Sequence, residues 1–188
     1  MTRVRLELNR LQIHRPKERW RLYFVLAADH PDVKDQVAVA VIPERPLLVV
    51  PEQKNVIAFE PKGKGTEGLP LLIRDLPETR ELNVHLYVMH SRRSDREIGN
   101  VLQQIEEDAG KRALGIASNL LGVSSPWLQV ARSGLPLIGK ALASIPDRNL
   151  GFISMFERFG PEFEQETEID RENRGGHVTV VYCWSVVS

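Results

Sequence analysis

In LNVHLYVMHSRRSDREIG, residues 82–99, one side-chain period gives way to another. Leu82, Val84, Leu86 and Val88 alternate with Asn83, His85, Tyr87 and Met89, the two-residue period of a strand with one face in a core. Beyond the basic turn His90–Arg93, Ser94 and Glu97 stand at capping-box spacing. From there Ile98, Val101, Leu102, Ile105, Ala109, Ile116, Ala117, Leu120 and Leu121 recur at three- and four-residue intervals. This predicts a strand running into a long helix that ends near Gly122. Ser125 and Pro126 suit a second helix start, and Trp127, Val130, Ile138, Ala141, Leu142 and Ile145 continue it, with Pro136 expected to kink or divide it.

On either side of this helical stretch the strand period returns. Val4, Leu6 and Leu8 alternate with charged residues, and the phase then slips to Leu11 and Ile13, which predicts a bulge near Asn9 and Arg10. Trp20, Leu22, Phe24, Leu26 and Ala28 share one parity. Residues 37–42 and 47–50 are apolar runs separated by the breaker PERP, residues 43–46, and 55–59 is a further short strand. Residues 152–159 have strand character, and in the final stretch Val178, Val180, Tyr182, Trp184 and Val186 alternate with more polar neighbours. The expectation is a mainly β single domain over 1–188. Its antiparallel β-sandwich is made by 1–93 and 147–188, and an apolar helical hairpin is inserted at 94–146.

Composition excludes several classes of function. The 25 Lys and Arg balance 25 Asp and Glu, so no global field draws the chain to nucleic acid or to an acidic membrane. Cys183 is the single cysteine, which rules out an intramolecular disulfide and points to a reducing, cytoplasmic setting. The first residues alternate charged and apolar side chains and read as a strand, not as a secretory signal. No HExxH, GxSxG or GxxxxGK[ST] pattern is present. The expectation is a protein without catalytic residues or cofactor.

Residues 82–99 resemble the later strand and third top loop of the C2 domain, the lipid-binding sandwich first known from protein kinase C. Leu82, Val84, Leu86 and Val88 stand as the strand, and Asp95, Glu97, Ile98 and Gly99 as the exit from the loop. The resemblance implies a C2-like sandwich, with the turn carrying Asp29, Asp32 and Asp35 as the first top loop. Calcium-binding members need several loop carboxylates, because the ion takes six to eight oxygens. His90 and Arg92 occupy the acidic positions here, so a calcium site is not expected.

Three groups of residues are candidates for function. Residues 113–131 carry no formal charge, and Ile116, Leu120, Leu121, Trp127, Leu128 and Leu137 form an apolar set. That set could pack on the sandwich, meet a protein partner or a second copy of the chain, or enter a lipid surface. Arg92, Arg93 and Arg96 form a basic turn able to hold an anionic ligand, or simply a solvated one. Asp29, Asp32 and Asp35 are possible metal ligands, though aspartates also populate turns by bonding to the local backbone. The combined expectation is a non-catalytic module that binds a protein or itself through the insert, with a membrane-binding or pore-forming role as the alternative.

Overall fold

Two antiparallel sheets face each other across a core drawn from both. The structure is a computed structural model, and it describes residues 2–15, 19–30, 33–49, 55–59, 68–93, 99–110, 113–117, 127–165 and 168–187. The strands are β1 (Arg3–Ile13), β2 (Trp20–Asp29), β3 (Gln36–Val49), β4 (Val56–Ala58), β5 (Leu69–Asp75) and β6 (Glu81–His90). After helix α1 (Gly99–Ala109) come β7 (Ala113–Ala117), β8 (Trp127–Ala131), helix α2 (Leu135–Ser144), β9 (Arg148–Arg158), the short α3 (Glu162–Gln165), β10 (Glu168–Gly175) and β11 (Val178–Val187).

Sheet A runs β10-β11-β1, and the far edge of β1 is shared by β4 and β5. Sheet B runs β7-β8-β3-β2-β6-β9. The bulge expected in β1 is present, where the register against β11 shifts between Leu8 and Arg10. The two apolar runs on either side of PERP form one strand, β3. Leu47 pairs with Leu22 and Ile42 with Phe24, so most of the breaker is accommodated as an excursion from the ladder.

Alternation explains the first core. Val4, Leu6, Leu8, Leu11 and Ile13 of β1 and Val178, Val180, Tyr182 and Trp184 of β11 meet the even-numbered apolar residues of β2 and β6, all buried. The sandwich is closed along one side where β9, an edge of sheet B, approaches β10, an edge of sheet A. The Arg171 guanidinium donates to both carboxylate oxygens of Glu157 at 3.1 Å each, and Asn173 donates to the Ser154 carbonyl at 3.2 Å. Gly151 and Gly175 make the approach possible. A Cβ on Gly151 would stand 2.2 Å from the Gly175 carbonyl oxygen, and one on Gly175 would stand 2.0 Å from that of Phe152.

A second core lies on the outer face of sheet B. Tyr23, Val25 and Ala27 of β2 and Val37, Val39 and Val41 of β3 are covered by Val101, Leu102, Ile105 and Ala109 of α1 and by Ile138, Ala141 and Leu142 of α2. The inserted region therefore forms a third layer over the sandwich. Its internal structure corrects the expectation of a continuous helical hairpin. The first helix stops at Ala109, where Gly110 takes a left-handed φ of +54° that ends the helical path. Residues 113–117 and 127–131 are strands, because β8 completes the open edge of β3 from Gln36↔Ala131 to Ala40↔Trp127, and β7 then pairs with β8. Filling a ladder outweighs the modest helix propensity of a short apolar run. Pro136 neither kinks nor divides a helix. It sits in the first turn of α2, where its missing N–H has no helical partner to lose. Ser94, Glu97, Ser125 and Pro126 lie outside the described residues. Among those described, no helix is long and apolar enough to cross a membrane.

Candidate functional site

The antiparallel pairing of β2 with β6 sets the start of one strand beside the end of the other, which brings together residues some seventy positions apart. Leu22 pairs with His90, and the Ser91 N–H donates to the Arg21 carbonyl at 2.7 Å. A cleft of about 380 Å³ opens at this end of the sheet, lined by Arg19, Arg21, His90, Ser91 and Arg92. Arg19 and Arg92 are exposed and Arg21 is half-buried, whereas His90 and Ser91 are buried. The His90 ring is fixed edge-on to Trp20 at 5.2 Å, and its Nδ1 lies 3.2 Å from both the N–H nitrogen and the carbonyl oxygen of Arg21.

The turn after β6 is held from two directions. The Ser91 hydroxyl donates to the Arg93 carbonyl at 2.9 Å and accepts the Arg93 N–H at 3.3 Å. The Arg92 N–H donates to the Asp147 carboxylate at 3.1 Å, and the same carboxylate accepts the Tyr23 hydroxyl at 2.9 Å. Of the basic turn expected from sequence, Arg92 lines the cleft and Arg93 is exposed beside it, while Arg96 lies outside the described residues. Arg19 and Arg21 were missed, because nothing local in the sequence says that β2 and β6 are neighbours.

A different surface lies on the outer face of sheet B, where the third layer stops short of β9. Phe152 and Phe156 of β9 are 44% and 53% exposed. Phe152 stacks on His85 at 5.5 Å and leans on Tyr87 at 4.8 Å, and Gly139 of α2 lies beside the Tyr87 hydroxyl. Burial holds the His85 pKa below its ordinary value; Asp29 raises it and Arg132 lowers it further.

The apolar set expected from sequence is divided by the fold. Leu128 is fully buried in the second core, which corrects its assignment to a partner surface: it points into the protein's own interior from β8. Leu137 is half-buried on α2, and Ile116 and Trp127 are placed on β7 and β8. Leu120 and Leu121 lie outside the described residues.

The acidic turn is occupied by protein groups. Asp29 accepts the Arg132 guanidinium at 2.6 Å, and the Asp35 carbonyl accepts the Arg132 N–H at 2.7 Å. His30 accepts the Val33 N–H at 3.1 Å, and Asp32 lies outside the described residues. No cluster of three metal-ligating side chains occurs among the described residues. Cys183 is buried, and burial together with nearby Asp170 and Glu168 pushes its thiol up to about 12.

No family model matches the chain, and no curated protein matches it. Among solved structures it is similar to one entitled "Structure of Drosophila C2-DSL-EGF1", with 7% identity and a TM-score of 0.36. That alignment covers 99% of this chain and 67% of the other.

Proposed function

We propose that this protein is a non-catalytic, cytoplasmic interaction module, a C2-like sandwich that pairs with a second copy of itself beside its inserted layer. The observation that carries this reading is the open strip formed by Phe152 and Phe156 next to α2. Two large aromatic side chains stand about half in solvent on the outer face of sheet B, and residues of this type anchor protein interfaces. They are four residues apart on one strand, a span of roughly 13 Å, so two copies related by a two-fold axis can interleave the pairs. A formal net charge of zero leaves no long-range repulsion between copies. The C2-like assignment rests on the pattern of residues 82–99, and the cytoplasmic one on the single cysteine.

The test is sedimentation velocity over a wide range of protein concentration. The wild type is expected to form a dimer, and Phe152→Asp with Phe156→Asp to weaken it at least tenfold while the monomer stays folded by circular dichroism. A wild type that stays monomeric at every concentration sinks the proposal. Flotation with neutral vesicles, abolished by the same substitutions, would instead assign the strip to a lipid surface.

A further inference from the structure

We infer that the cleft between the start of β2 and the end of β6 is a binding site for a small phosphorylated ligand, separate from the aromatic strip. Three arginines, Arg19, Arg21 and Arg92, line one opening. Among the described residues no carboxylate forms an ion pair with any of the three. The Asp147 carboxylate accepts the backbone N–H of Arg92 and so anchors the turn that presents this arginine.

The chemistry favours a phosphate over a carboxylate. Guanidinium groups bind phosphate oxygens in pairs of parallel hydrogen bonds, and three such groups around one opening suit an anion with several oxygens and two negative charges. At about 380 Å³ the cleft is at the small end of the range for small-molecule sites, large enough for a phosphate together with part of the molecule that bears it.

The site is also pre-organised, which reduces the entropy lost on binding. Its floor is rigid: His90 is clamped between the Trp20 ring and the Arg21 backbone, and the Ser91 hydroxyl closes the turn onto Arg93. The balanced charge of the whole chain makes this concentration of basic groups a local feature, so recognition depends on the cleft and not on a general attraction to anions.

The test is calorimetric titration of the full chain with inorganic phosphate and with glycerol 3-phosphate, using acetate and chloride at matched ionic strength as controls. Saturable binding of the two phosphates, but not of the controls, is expected. Arg19→Gln with Arg92→Gln removes two exposed side chains, so folding is not at stake, and should weaken binding by about tenfold or more for each guanidinium lost. Arg21→Gln should act in the same direction. A parallel flotation assay uses phosphatidylcholine vesicles with and without a lipid that carries a phosphate monoester headgroup. Capture that needs the monoester and the two arginines would identify the source as lipid, and binding of the soluble phosphates alone would identify it as a free small molecule. No binding in either arm, or binding unchanged in the double variant, overturns the inference.

Discussion

At the scale of single residues, the glycine pair where β9 crosses β10 is the most demanding position in the sandwich. A methyl group on either glycine would overlap a carbonyl oxygen of the opposite strand, and backbone cannot swing aside as a side-chain tip can. Gly151→Ala is therefore expected to destabilise the fold by about 1–3 kcal/mol, read as a lower urea midpoint, whereas Gly160→Ala, with open space around it, should leave the midpoint almost unchanged. Cys183 gives a second residue-level expectation. With its thiol at about 12, only about one molecule in ten thousand is ionised at pH 8, so alkylation should be slow in the native protein and fast in urea. His85 gives a third. Its folded pKa is below 6.5, so as pH falls the unfolded chain takes up the proton first, and the folded state loses stability from about pH 6.5 downward. The loss stops growing once pH is below the folded value. His85→Gln should flatten the fall of the urea midpoint between neutral pH and pH 5.

At the scale of elements, β8 and β9 separate a core position from an exposed one. Leu128→Asp places a charge in the second core and is expected to prevent stable folding, in contrast to Phe156→Asp, which changes a half-exposed position; circular dichroism distinguishes the two. Much of the element pattern was legible in the sequence. The alternation in β1, β6 and β11, the bulge after Leu8 and the helical period across Val101, Leu102 and Ile105 are all local signals. The third layer was legible too, in a form that was not read. Tyr23, Val25 and Ala27 fill the second parity of β2, and both parities of 37–42 are apolar, as strands buried on both faces require. The strands β7 and β8 were hidden because short apolar runs fit either period, and their state is set by a vacant ladder on β3. β10 was hidden for the opposite reason: EIDRENRG is a polar edge strand with little core-facing signal. Of the cleft, the turn carrying His90, Ser91 and Arg92 could be singled out locally; Arg19 and Arg21 join it through long-range pairing.

At the scale of the whole molecule, the inserted layer is structural cover for sheet B, whatever its remaining surface binds. Replacing residues 99–145 by a short flexible linker would uncover Tyr23, Val25, Val37, Val39 and Val41 together. The shortened chain is expected to bind the dye ANS and to aggregate, even though the first core is untouched in composition. Side chains at the heart of the second core should report the same dependence more gently. Ile105→Ala or Ile138→Ala, each at a fully buried site, should lower stability by about 2–4 kcal/mol in urea unfolding.

Sheet A joins strands far apart in sequence: β1 pairs with β11 from Arg3↔Val187 to Ile13↔Val178, while every strand of sheet B falls between Trp20 and Arg158. On a ribosome, β1 can find β5 on one edge early but must wait for β11 on the other, whereas sheet B and its helical cover can organise before β11 is made. Nascent chains stalled with Arg158 just clear of the exit tunnel should consequently show stronger protease resistance in sheet B than at Val4–Leu8, which is then paired through β5 alone, and that segment becomes fully protected only when β11 has also emerged.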